Sequence, residues 1–222
     1  MSHSFPRLLG LLLLVAFSAC SVLDRAPDVK TSGFLSDDSM LKPGAGDEAV
    51  LLYTKPGLDL SGYHAILLEP IEVWRAKDAA DNGELPAADF ARLAGVLQTM
   101  VSTGLAENWT MTDRPGKGVL RLRMALTDAR DSTVAMDIVS MVIPIGMIVT
   151  TVNKLATGVN SFVGGAGGEA ELTDSVSGEV LLAAVDRRVG GKSWTGATDA
   201  EGDIMATLKL WTDRIKLRIA RH

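Results

Sequence analysis

The 222-residue chain has one cysteine, Cys20, and it stands directly behind an apolar run near the N-terminus. Arg7 precedes Leu8-Leu9-Gly10-Leu11-Leu12-Leu13-Leu14-Val15-Ala16-Phe17, and Ser18-Ala19-Cys20 follows. A cationic start, about ten apolar residues and a small-residue end is the layout of a secretory signal. An exported chain with a single thiol forms no disulfide within itself, so its fold must be held by an apolar core. With residues 1–19 set aside as the signal, about 200 residues remain. That is enough to bury such a core in one domain and too few for two comfortable ones.

The order apolar, small, small, Cys resembles the bacterial lipobox, in which the thiol is acylated and the signal is cut just before it. Phe17 departs from the usual Leu at the first position of that box. A spanning helix needs about 20 apolar residues, more than this run offers. Cys20 is therefore expected to be lipidated, with residues 20–31 as a flexible tether. Ser21 to Thr31 is polar and mixed, contains Pro27 and shows no apolar period, which gives a spacer reaching roughly 35 Å. Ser21, where an Asp would signal inner-membrane retention, fits the outer-membrane default, so the expected location is the outer membrane, lipid-anchored and facing the periplasm. The formal net charge is −5 and no Lys/Arg block is present. Nothing favours nucleic acid, and adhesion to anionic lipid would have to come from acyl chains, each buried methylene adding about 0.8 kcal/mol.

Periodicity from residue 32 onward predicts one α+β domain over 32–222. Ala65 to Trp74 reads as a strand, with Pro70 marking an edge or a bulge. Pro86 opens a helix of about twenty residues in which Phe90, Leu93, Leu97, Met100, Val101 and Leu105 form one stripe. Trp109 to Thr112 is a short strand candidate. In Val119 to Leu126 the apolar Leu120, Leu122, Met124 and Leu126 alternate with Arg121 and Arg123, as in a half-buried antiparallel strand. Glu169 and Glu171 share one face of the next strand, Ala170 and Leu172 the other. Asp174 to Gly178 turns the chain back along Glu179 to Val185. Ile204, Leu208, Trp211, Ile215 and Ile219 mark a C-terminal helix whose last turns carry Lys216, Arg218 and Arg221. The expected architecture is a single antiparallel sheet of about 4–5 strands with two long helices packed on one face. Arg121, Arg123, Glu169 and Glu171 would lie on the other face as exposed cross-strand pairs worth about 0.2–1 kcal/mol each.

Ser32-Gly33-Phe34-Leu35-Ser36-Asp37, Ser39, Leu41, Tyr53, Pro56-Gly57, Asp59-Leu60, Tyr63 and Leu67 to Trp74 together resemble the domain-of-unknown-function family numbered 3313, a group of bacterial lipoproteins. The resemblance continues through Leu120 to Arg123, Thr127-Asp128, Thr173 to Ser175, Ser177 to Glu179 and Val185 to Arg188, ending at Trp211. It covers nearly the whole mature chain and implies no activity.

The inventory for catalysis is thin. Beyond the signal the histidines are His64 and His222, so histidine metal sites and Ser-His-Asp triads lack parts, and no free thiol is left for nucleophilic or zinc chemistry. No metal or cofactor is expected. Gly164 to Gly168 lacks the Lys and Ser/Thr of a phosphate loop and reads as a flexible loop. Asp186, Arg187 and Arg188 form the densest polar cluster, either a polar site for an anion or partner or a strand end in solvent. Glu69/Glu72 and Asp37/Asp38 are the acid pairs that would serve a hydrolase.

Ile138 to Val152 is uncharged and interrupted by Pro144 and Gly146, within an apolar arm at about 136–163. Fifteen residues would rise about 22 Å against roughly 30 Å of hydrocarbon, so it does not span a membrane. It is a buried segment, a surface for a partner protein or a lipid contact, with Ile138, Val142, Ile143, Ile145 and Ile148 as the contact residues in the last two cases. Two functions compete: a non-catalytic, periplasm-facing binding or assembly module that holds an unidentified envelope protein partner, and an envelope hydrolase acting on peptidoglycan or lipid through carboxylates. The first is favoured because the residues for common chemistries are missing.

Overall fold

A computed structural model describes residues 23–26, 29–74, 86–130, 165–190 and 200–220. Both apolar stripes form helices, α1 over Ala87–Ala106 and α2 over Ala200–Arg218. Phe90, Leu93, Leu97, Val101 and Leu105 of α1 and Ile204, Leu208 and Trp211 of α2 enter one core with Leu120, Leu122, Met124 and Leu126. Each large side chain buried this way stabilises the fold by about 1.5–3 kcal/mol. The helices touch where Gly104 leaves room: a β-carbon there would stand 3.0 Å from Lys216 Cδ and 3.3 Å from Thr212 Cγ2. Lys216 then reaches Glu107 beyond the end of α1 at 2.8 Å.

The strands are β1 (Leu23–Arg25), β2 (Lys42–Pro43), β3 (Leu51–Thr54), β4 (Ala65–Leu68), β5 (Glu72–Val73), β6 (Thr110–Thr112), β7 (Val119–Arg130), β8 (Gly165–Asp174) and β9 (Val180–Gly190). Among the described residues they form one sheet in the order β2-β3-β9-β8-β7-β4-β6, with β1 also on β9 and β5 also on β7. The α+β class and the two helices over one face stand as expected; the sheet does not. It is mixed and larger, because β4 and β5 run parallel to β7, and β6 parallel to β4. The cause is α1, which carries the chain back over the sheet between β5 and β6, the crossover that parallel pairing requires. The expected strand Ala65 to Trp74 is two strands. Pro70 has no N–H for a ladder, and the Ile71 amide turns to Gln98 Oε1 at 2.9 Å before β5 resumes on β7.

Two further expectations change. The glycine-rich stretch is not a loop: Gly165, Ala166, Gly167 and Gly168 begin β8, buried and paired with both β7 and β9. The stretch taken as a tether is docked in part, since Leu23 to Arg25 pairs with Gly190 to Arg188 and the Ala26 amide donates to Arg187 O at 3.0 Å.

The face opposite the helices is covered as well. Phe34 and Leu35, from the segment between β1 and β2, pack on Ala125, Ala183 and Val185 in a second, smaller core. Arg123 and Glu171 are direct cross-strand partners with ion-pair atoms 3.4 Å apart, as the alternation implies. They do not face open solvent. Glu169 and Glu171 are both only 2% exposed. Glu169 Oε1 accepts the Ser32 amide at 2.5 Å, and Glu171 Oε2 accepts the Ser36 amide at 3.0 Å and its hydroxyl. Arg121 pairs with Glu69, its Nε donating at 2.6 Å, and not with Glu169. Two buried carboxylates thus supply the acceptors that hold residues 32–36 against the sheet.

Candidate functional site

The alternation of β9 divides the polar cluster Asp186-Arg187-Arg188. Asp186 and Arg188 fall on the helix-covered side, Arg187 on the other, where its Nη2 lies 2.7 Å from Asp128 Oδ2. Asp186 is 4% and Arg188 3% exposed, so neither is a strand end in solvent. Asp186 Oδ2 accepts from Arg188 Nε at 2.8 Å and from Trp211 Nε1 at 2.9 Å, and Oδ1 accepts the Val50 amide at 3.2 Å. Arg188 Nη2 also donates to the carbonyls of Asp47 and Glu48, at 2.8 and 2.7 Å. One carboxylate therefore joins β9, the β2–β3 connection and α2. Its oxygens are taken, which makes the pair a structural joint. Arg214 completes the group at 3.8 Å from Asp186 Oδ2. Burial and the neighbouring Arg188 push the Arg214 guanidinium below its usual range, against the opposing pull of Asp186, Asp47 and Glu48.

Beside this joint lies an open groove of about 320 Å³ between α2, the helix side of β8 and β9, and the β2–β3 connection. Leu52, Leu172, Leu182, Ala184 and Ile215 line it with apolar surface, and Leu217, exposed to 75%, stands at its mouth. The rim is charged and balanced: Arg214 reaches Asp47 at 3.2 Å and Arg218 pairs with Glu48. A smaller recess of about 80 Å³ adjoins it, sharing Ala170, Ala184, Arg214 and Ile215, and ends beside Trp211 and Gly168. An apolar concavity of this size with a few polar groups at its edge has the form of a small binding site. Sequence reasoning did not find it. Its walls come from segments far apart in the chain, and of the α2 stripe only Ile215 and Ile219 reach it.

The acid pairs proposed for hydrolysis are engaged elsewhere. Glu69 and Glu72 both lie by Arg123, at 3.6 and 3.8 Å, with Glu69 also held by Arg121. Asp37 accepts the Ser39 amide at 2.8 Å and Asp38 the Thr31 hydroxyl at 2.6 Å, each inside the covering segment. Among the described residues no group of three His, Cys, Asp or Glu side chains is placed to hold a metal ion. No described helix is long and apolar enough to cross a membrane. Cys20, Ile138, Val142, Ile143, Ile145 and Ile148 lie outside the described residues.

Fold and groove together define an α+β domain of mixed sheet, covered by helices on one side and by its own N-terminal segment on the other. The chain belongs to the family described as a protein of unknown function, DUF3313, whose model matches residues 30–215. No curated protein matches the sequence. Solved structures with some likeness include a PelC dodecamer from Paraburkholderia phytofirmans, 15% identical over 71% of this chain and 92% of that one, TM-score 0.34. Another is a neuraminyllactose-binding hemagglutinin homolog from Helicobacter pylori, 11% identical over 70% and 80%, TM-score 0.34. A third is a lipoprotein from Neisseria meningitidis, 11% identical over 71% and 98%, TM-score 0.29.

Proposed function

We propose that this protein is a non-catalytic binding or assembly module of the bacterial envelope, held at the outer membrane by acyl chains on Cys20 and facing the periplasm. Its binding site is the groove beside α2, and its partner is an envelope protein that inserts an apolar segment there. The groove carries the reading: about 320 Å³ of apolar-lined space with a charge-balanced rim suits an uncharged side-chain cluster better than an ionic ligand. The engagement of Glu69, Glu72, Asp37 and Asp38 in structural contacts is the reason to prefer binding over hydrolysis. Ile138, Val142, Ile143, Ile145 and Ile148 form a second contact surface, for lipid or for the same partner.

A photoreactive residue at Leu217, compared with one at the exposed Val176 of the β8–β9 turn, tests the groove in cells. A discrete crosslinked protein from position 217, lost when Leu52→Trp fills the groove, is the expected result. Equal labelling from both positions would remove the groove from consideration. Cys20→Ala is expected to release the protein to the soluble periplasm, and Ile143→Asp with Ile148→Asp to leave its melting temperature nearly unchanged.

A further inference from the structure

The proposed lipid anchor and the first docked strand lie three residues apart. Leu23 pairs with Gly190, and β1 runs antiparallel to β9, so the chain enters β1 at the Gly190 end of the sheet. An acylated Cys20 is then within about 10 Å of that end, because three residues span no more. A second excursion begins and ends at the same place. Arg130, the last residue of β7, is opposite Gly165, the first of β8, and Gly165 is opposite Val189. The intervening sequence contains the uncharged run Ile138–Val152. At the other end of these strands lie the turn Ser175–Gly178 and Lys117, and the groove lies along the half of β8 and β9 nearer to that turn, at Ala170 to Leu172 and Leu182 to Ala184.

We propose that the sheet end formed by Leu23, Arg130, Gly165 and Gly190 faces the lipid bilayer, with β7, β8 and β9 directed away from it and the groove presented on the far side. This rests on the lipid-anchor reading. The partner is the bilayer surface itself, since the acylated N-terminus and the stretch that holds the apolar run Ile138–Val152 both join the domain at this one end. The β8 strand of ten residues separates the two ends by roughly 30 Å, far enough to measure.

The test uses the full-length acylated protein in phosphatidylethanolamine/phosphatidylglycerol vesicles that contain a headgroup quencher. A fluorophore is placed on Val189→Cys in one sample and on Val176→Cys in another, and Arg25→Cys with Lys117→Cys gives an independent near and far pair. Flotation with the vesicles, and quenching several-fold stronger at 189 and 25 than at 176 and 117, is the expected result. Flotation with equal or reversed quenching overturns the orientation and leaves the anchor standing. Failure to float overturns both.

Discussion

The indole of Trp211 occupies the place where a side chain at Gly168 would go: a β-carbon there would stand 2.9 Å from both Cη2 and Cζ3 of the ring. The same ring donates through Nε1 to Asp186 Oδ2. A glycine inside a strand ordinarily weakens it, and here it is the condition for seating α2 on the sheet. Gly168→Val is expected to cost about 1–3 kcal/mol through overpacking. In a Trp211→Leu background the same change should cost less, because the obstructing ring is gone. Urea unfolding of the four proteins decides it, and strict additivity would count against the arrangement.

Asp186→Ala removes the acceptor from Arg188 and leaves a buried guanidinium without its carboxylate. The expected loss is about 3–5 kcal/mol by chemical denaturation. Asp186→Ala combined with Arg188→Met should be more stable than Asp186→Ala alone, since the second change withdraws the stranded charge. A double variant less stable than the single would show that Arg188 is held mainly by the Asp47 and Glu48 carbonyls.

Phe34 lies beneath Arg123, whose guanidinium carbon is 4.6 Å from the ring centre, and meets Trp74 edge-on at 5.6 Å. Phe34→Ala is expected to cost about 3–5 kcal/mol and to move the first site of limited proteolysis into residues 29–41. Cleavage elsewhere first would mean that the Glu169 and Glu171 contacts hold the segment without the ring.

The turn between β8 and β9 supplies a pH signature. The Ser177 amide, helped by the Ser177 hydroxyl, the Val176 amide and the Tyr63 hydroxyl, holds Asp174 below the usual carboxylate range. Burial and the bond to Asp174 push Tyr63 up to about 12. A carboxylate lowered by folding adds stability that is complete above its unfolded value, about 4, and is lost as pH falls through the folded one. The advantage of the wild type over Asp174→Asn should therefore be constant from about pH 7 to 5 and shrink below about pH 4. Urea midpoints across that range would show a flat difference if the carboxylate form were irrelevant.

Both helices and the β7–β8–β9 meander were legible in the sequence because their periods are long enough to show which side is buried. That Arg123 and Glu171 share a face followed from the same alternation. The parallel pairing of β4 with β7 was not legible, since strand, helix, strand reads alike whether the helix merely covers the sheet or crosses it. β2 and β5 have two residues each, too few to display any period. Glu169 and Glu171 wear the pattern of a wet face, and the Ser32 and Ser36 amides, far earlier in the chain, join Arg123 in making their burial tolerable. For Asp186 and Arg188 a signal was present: they continue the Leu182, Ala184 row that faces the helices. Reading them as a cluster of neighbours hid the fact that alternate residues point apart.

The bond from the Ser32 amide to Glu169 links positions 137 apart in the chain, that from the Val50 amide to Asp186 links positions 136 apart, and the Arg218 contact to Glu48 links positions 170 apart. Such distant closures come late in folding, after the meander that receives them. The segment made first is thus expected to settle last, once β8, β9 and α2 have all been synthesised. Pulse-labelled hydrogen exchange should find the amides of Ser32, Ser36 and Val50 protected more slowly than those of β7 and β8, and the reverse order would contradict it. Until α2 arrives, the β2–β3 connection has only part of its berth.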